Sequence, residues 1–226
     1  MVMDPNDVVQ GSFFFSSNQI RKTRELLPKH LQNCTRFELL TSCLWKCRTI
    51  ALELDPKETA RFSCITSIRG KKNVNNLSLP SGYYGNTFAY PAAVSNVRVL
   101  HKSPLGYAVE IVKRAKGRVN EEYMKPVADL MVIIGRPLHT VSGNYIVSDT
   151  THVGFDEVDF GWGLPLFGGP AMALSLISMY VPYEDKWEKG AVVLICLPTL
   201  VMERFEQELK PYKMHHFKDL KIVSSL

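Results

Sequence analysis

Six histidines, His30, His101, His139, His152, His215 and His216, are the side chains of this 226-residue chain best suited to moving protons near neutrality. His152 has company of a suggestive type. With Asp156 it makes His-x-x-x-Asp, and on a helix that spacing would let the carboxylate orient the imidazole. The surrounding Thr-His-Val-Gly-Phe-Asp reads instead as strand or loop, so the pair is taken as structural or exposed rather than as a catalytic base. His215-His216 reads as a surface feature near the carboxyl terminus. Ser63, Thr66, Ser67, Ser78 and Ser81 form no nucleophile elbow, and no Walker or dinucleotide glycine loop occurs. The five cysteines, Cys34, Cys43, Cys47, Cys64 and Cys196, are an odd number without metal-ligand spacing. They read as buried thiols of a reducing compartment, with no metal implied.

Two features have unusual local chemistry. Asp159-Phe160-Gly161-Trp162-Gly163 puts a large ring between two glycines, just after an acid. Such a segment can turn sharply, with Trp162 filling a slot and Asp159 seeking a cation or backbone donors. The formal net charge of +5 comes mostly from two runs, Arg69-Gly70-Lys71-Lys72 and Lys113-Arg114-Ala115-Lys116-Gly117-Arg118. Each suits a solvated face or a small polyanionic ligand such as a nucleotide-bearing cofactor; neither implies a nucleic-acid partner. Beside the first run, Leu79-Pro80-Ser81-Gly82-Tyr83-Tyr84-Gly85-Asn86 joins a rigid entry to flexible positions and stacked aromatics, as either a pocket loop or a surface turn.

The elements that must position these residues follow from periodicity. A β-branched and aromatic strand over 8–15 leads to Ser16-Ser17, candidate caps for a helix over 18–27 that Pro28 stops. Thr35-x-x-Glu38 is a capping box opening a stronger helix, whose Leu40, Cys43, Leu44, Cys47, Ile50, Ala51 and Leu54 form one apolar stripe. A strand over 61–68 precedes a long polar loop, 71–84. Pro104 starts a helix through the 110s, with a continuation over 123–134 that Pro126 kinks or restarts. Strands over 144–147, 171–181 and 191–197 follow. Pro198 then opens a last helix through Leu209, with Leu200, Val201 or Met202, Phe205 and Leu209 inward. This pattern describes a layered α/β unit with a mixed, largely antiparallel sheet. Composition is globular, with 46% hydrophobic and 22% charged residues, which excludes a disordered or linker-like chain. No 18-residue apolar run occurs and the amino terminus has no signal-peptide core, so no membrane partner and a cytoplasmic setting are expected.

Several segments, taken in order, carry a resemblance to a known family. They are Thr35-Arg36-Phe37-Glu38-Leu39-Leu40-Thr41-Ser42-Cys43-Leu44-Trp45, the 79–86 loop, Val147-Ser148-Asp149 with Gly154-Phe155, Val158-Asp159-Phe160-Gly161-Trp162-Gly163, and Cys196-Leu197-Pro198 with Met202-Glu203-Arg204-Phe205. Across nearly its whole length the chain resembles the carboxy-terminal half of a plant BAHD acyl-CoA-dependent acyltransferase. Within the family it is similar to the branch that moves benzoyl, acetyl or related groups onto alcohols such as benzyl alcohol.

The resemblance implies a two-layer CoA-dependent acyltransferase-like domain. It also implies that residues 1–226 are one half of a two-domain enzyme with a tunnel between the halves. In the family the active-site histidine belongs to a His-x-x-x-Asp-Gly motif of the other half. His152 and Asp156 are not its equivalent, because Glu157 stands where the motif has glycine. The implied co-substrate is acyl-CoA, with no permanently bound cofactor, and the acceptor is a small alcohol or an amine. Ser67, Arg69, Lys71 and Lys72 are the implied phosphate contacts of the coenzyme; Thr41 and Ser42, which with Trp45 begin a helix that the resemblance places near the tunnel, are implied as further coenzyme-binding residues. Asp159, Phe160, Gly161, Trp162 and Gly163 become a structural motif in which Trp162 buttresses the domain junction and Asp159 pairs with an arginine. Arg69 is a candidate for that pairing, in competition with its coenzyme role. The apolar 164–180 segment leaves acceptor choice open. The half that carries the histidine is expected as a second chain or as the rest of a fragmented one. The alternative reading is a truncated, catalytically silent domain that binds a partner through the face normally covered by the other half.

Overall fold

The computed structural model describes residues 7–69, 82–135, 143–165, 168–170, 172–174, 177–184, 189–212 and 215–216. Lys71, Lys72, Ser78, the first three residues of the 79–86 loop and His139 lie outside them. In chain order the elements are β1 (Val8–Ser16), α1 (Ser17–Glu25), α2 (Arg36–Ala51), β2 (Thr59–Cys64), β3 (Thr66–Ser67), β4 (Phe88–Ala89), β5 (Ala92–Asn96), α3 (Val97–Lys102) and α4 (Leu105–Gly117). There follow α5 (Glu121–Ile133), β6 (Asn144–Asp149), β7 (Ile177–Glu184), β8 (Lys189–Pro198), α6 (Thr199–Leu209) and β9 (His215–His216).

Caps fix the helix starts. Ser16 and Gln19 satisfy each other's backbone amides at the head of α1, with bonds of 3.2 and 2.8 Å. Thr35 and Glu38 do the same for α2, at 3.2 and 2.9 Å. The break between α4 and α5 falls at Asn120, whose side chain accepts from the Tyr123 amide at 2.9 Å. Pro126 lies inside α5. Along α6, Val201, Met202, Phe205 and Leu209 face inward as expected, whereas Leu200 is exposed, since it stands about 150° around the helix from the middle of that stripe.

Seven strands form one sheet in the order β5-β2-β6-β7-β8-β1-β9. Neighbours β2, β6 and β7 run parallel, and the other pairings are antiparallel. The predicted strand over 61–68 divides at Ile65: β2 joins this sheet, while β3 leaves it to pair with β4 in a separate two-stranded ribbon. Alternation along β1 sends Phe13 and Phe15 into the helix-covered face and Phe14 to the opposite one, where it meets Val181, Val192, Leu194 and Cys196. Both faces of β8 are therefore covered, and it is buried continuously from Gly190 to Leu197. A Cβ at Gly190 would run into the Phe15 carbonyl, so only glycine allows β1 to approach there.

Helix α2 is more central than one apolar stripe requires. Residues Glu38 to Trp45 are buried without interruption, with α4 and α6 flanking the helix above the sheet. Its interior hydroxyls are satisfied locally: Ser42 Oγ donates to the Glu38 carbonyl at 2.6 Å and Thr49 Oγ1 to the Trp45 carbonyl at 2.8 Å. All five cysteines are buried free thiols. Among the described residues no helix is long and apolar enough to cross a membrane.

Candidate functional site

Open α/β sheets gather ligands outside the carboxyl ends of their parallel strands. Here that edge belongs to β2, β6 and β7. Three things meet it: the β3–β4 ribbon that continues from β2, the amino terminus of α2, and the turns that follow β6.

The ribbon carries Ser67 and Arg69, both exposed. Ser67 Oγ accepts from the Arg69 amide at 3.1 Å, closing a short hydroxyl turn. The Arg69 guanidinium donates to the Tyr83 carbonyl at 3.3 Å and to the Gly85 carbonyl. These acceptors are neutral, so they aim the cation without cancelling its charge. Beneath, Ile68 and Ala89 pack with Val119, Tyr123 and Met124, tying the ribbon to the α4–α5 junction. Thr41 and Ser42 are wholly buried. Thr41 Oγ1 bonds the Tyr180 hydroxyl at 2.9 Å and Ser42 bonds within α2, so neither is the coenzyme contact expected of it, and any effect on a bound molecule passes through helix position.

At the head of α2, Lys116 from α4 reaches Glu38 Oε1 at 2.9 Å and lies 5.1 Å from the Phe37 ring centroid. Burial acts to raise the Glu38 carboxyl, but the Thr35 amide together with the Lys116 ammonium outweighs it and holds the acid below the usual carboxylate range. Next to it, Arg36 Nη2 donates to Thr151 Oγ1 at 2.8 Å, and Thr151 donates in turn to Asp149 Oδ1 at 2.6 Å. Thr150 anchors the same turn through the Tyr180 carbonyl, at 2.6 Å from its hydroxyl. Arg36 and Asp149 belong to this edge although the sequence singled out neither for it, and Lys116 joins them from the second basic run. Their signal was the capping box, which fixes where α2 begins and hence which charges stand at its head. Lys113 and Lys116 bond Asn33 and Glu38, so half of the second basic run is structural.

The glycine-bracketed turn behaves differently from its expected packing. Asp159 Oδ1 accepts from the Gly161 amide at 2.7 Å and the Gly163 amide at 3.0 Å, with both glycines at positive φ, +96° and +97°. Asp159 thus takes backbone donors, and Arg69 takes backbone acceptors; the proposed pairing of the two is not what either makes. Trp162 is 94% exposed and fills no slot among the described residues, with Phe160 and Leu164 exposed beside it. His152 is exposed on the turn before the short 3-10 helix Phe155–Glu157.

Deeper in the core, Arg48 of α2 is buried with its guanidinium 5.1 Å from the Tyr145 ring centroid. Desolvation lowers this arginine to about 10 and pushes Tyr145 up to about 12. Lys46, one turn before Ile50, donates to the carbonyls of Leu100, His101 and Ser103 at 2.7, 2.6 and 2.7 Å.

The chain and its fold have counterparts among known proteins. Residues 5–211 match the model of the Transferase family, and the chain belongs to that family, the BAHD acyltransferases. It is 54% identical over 207 residues to alcohol acyl transferase 2 of Malus domestica, covering 91% of this chain and 45% of that protein. To alcohol acyltransferase 1 of Actinidia deliciosa it is 53% identical over 223 residues, 95% of this chain and 48% of the other. The chain spans about half the length of the curated relatives it matches. The fold is shared with vinorine synthase, at a TM-score of 0.70 and 17% identity over 94% of this chain and 49% of that one. It is shared as well with F. sporotrichioides TRI101, solved with coenzyme A and T-2, at 0.69 and 19% over 93% and 51%.

Proposed function

We propose that this chain supplies the carboxy-terminal half of an enzyme that transfers an acyl group, benzoyl, acetyl or similar, from acyl-CoA to a small alcohol. The observation that carries the reading is roughly 50% identity to alcohol acyltransferases over nearly the whole chain and half of theirs. A His-x-x-x-Asp-Gly imidazole from the other half would take the acceptor's hydroxyl proton as its oxygen attacks the thioester carbonyl. A tetrahedral oxyanion forms, the carbon–sulfur bond breaks, and the imidazolium returns its proton to the departing coenzyme thiolate. Nothing in this sequence needs to act as nucleophile.

The contribution of residues 1–226 is a wall and a cradle. Ser67, Arg69, Lys71 and Lys72 would face the coenzyme phosphates, with the Tyr83 and Gly85 carbonyls holding the Arg69 fork in place. Thr41 and Ser42 would hold α2, and through it Arg36 and Lys116, at the same edge. The exposed Phe160, Trp162 and Leu164 support a covering half, since a ring left 94% in water has lost most of the stabilisation its burial offers. Binding of coenzyme A to the purified chain, followed by calorimetry, tests the cradle. Reversing Arg69 or Lys72 to Glu should weaken it about tenfold each; unchanged affinity in both would refute the assignment.

A further inference from the structure

At the opposite edge of the sheet, before β2 begins, an open cleft of about 560 Å³ lies between the carboxyl end of α2 and the short helix α3. The 16 residues of α2 separate it by about 24 Å from the edge that holds Arg36 and Glu38. Its floor is apolar, built from Ile50, Leu54, Pro56 and Val97. One wall presents Arg98, His101 and Lys102, which stand at i, i+3 and i+4 and so share one face of α3.

Among the described residues no carboxylate is ion-paired with Arg98, His101 or Lys102. A helix carboxyl terminus ordinarily draws basic side chains to its own carbonyls. Lys46 occupies that role for α3, bonding the Leu100 and His101 carbonyls, and thereby leaves His101 and Lys102 to face the cleft. Glu53, the carboxylate of the other wall, is ion-paired with Arg204 of α6, which also holds its acid below the usual range. The α3 amides are in use as well: Val97 donates to the Glu58 carbonyl at 3.0 Å and Arg98 to Asn96 Oδ1 at 3.0 Å. Recognition here is therefore by side chains alone. A cationic wall over an apolar floor, in a volume typical of small-molecule sites, suits a ligand with one carboxylate and a compact apolar body.

We propose that this cleft binds a small amphipathic carboxylate, at a site separate from the coenzyme edge. The test uses 1-naphthoate as probe, with the neutral 1-naphthalenemethanol as its matched control, titrated into the full 226-residue chain by saturation-transfer NMR and calorimetry. At the site that the α3 substitutions remove, naphthoate should bind at least tenfold tighter than the alcohol; binding that those substitutions leave intact is that of the exposed apolar faces and is subtracted. Arg98→Glu with Lys102→Glu should lower its affinity tenfold or more, Arg98→Gln with Lys102→Gln should lower it less, and Arg69→Glu should leave it unchanged. Both positions are exposed, and circular dichroism of the variants should match that of the parent. Excess inorganic phosphate, which has no apolar body, should not displace the probe. Equal binding of the alcohol, displacement by phosphate, loss of binding in Arg69→Glu, insensitivity to the α3 substitutions, or absence of binding would each overturn the proposal. None of these outcomes depends on acyl transfer, so failure here is distinct from failure of the proposed function.

Discussion

The carboxylate of Asp159 does its work inside five residues. It receives two amide hydrogens that only glycines at positive φ can aim at it, which makes it a turn-former whose need is an acceptor oxygen and not a charge partner. Asp159→Asn should therefore cost little, because an amide oxygen still accepts both bonds, whereas Asp159→Ala should cost about 1 kcal/mol and loosen the turn. Thermal melts of the two variants decide it, since an ion-pair role would make them equally damaging. Arg69 differs in kind. Two carbonyls orient its fork while its charge persists, so in the completed enzyme Arg69→Ala should raise the KM for acyl-CoA about tenfold with kcat unchanged, and Arg69→Lys should fall between. Glycines two and four residues after an acid made the first of these roles legible in the sequence. The exposure of Trp162 was not legible, because the slot for an aromatic ring is not encoded next to it.

Helix α2 joins the two edges of the molecule. At its head, the Glu38 carboxyl is lowered in the folded chain, so its stabilising contribution is complete above the unfolded value near 4.5 and is lost as pH falls through the lower folded value. Glu38→Gln preserves the capping geometry, removes the Lys116 charge pair, and should cost about 1.5 kcal/mol at neutral pH. Urea unfolding between pH 3 and 7 should show the difference from the parent closing at the acid end. Beneath α2, Tyr145 and Tyr180 are raised by burial, so both stay protonated while the fold persists and stabilise it less as pH rises above 10. An ultraviolet titration should show these phenols ionising only together with unfolding. The capping box placed the start of α2 correctly, while the apolar period ran on to Leu54, three residues past the end of the helix at Ala51. They did not reveal that it is buried on all sides, because hydroxyls at Thr41, Ser42 and Thr49 read as polar positions until their bonds are seen. Lys46 and Arg48 were likewise hidden, since a cation on a helix ordinarily marks its wet face.

Taken whole, the molecule is a sheet with helices on one face, and its architecture was readable from alternation and caps. The pairing of β2, β6 and β7 in parallel was not, because long connections leave strand order undetermined by local pattern. Neither was the departure of β3 into a ribbon, a decision made by a partner strand some twenty residues away. The exposed apolar side chains of the 153–164 segment and the end of α5 are the other whole-molecule property. They predict that the chain alone binds an apolar dye strongly and associates, and that a covering half suppresses both. The proposed function puts the proton-abstracting imidazole outside these 226 residues. Release of free thiol from acetyl-CoA or benzoyl-CoA in the presence of small alcohols tests it most directly, with the chain measured alone and again with an alcohol acyltransferase half that carries His-x-x-x-Asp-Gly. No turnover is expected from the chain alone, and turnover is expected on complementation, unaffected by His152→Ala. Turnover by the chain alone that His152→Ala abolishes would contradict that assignment.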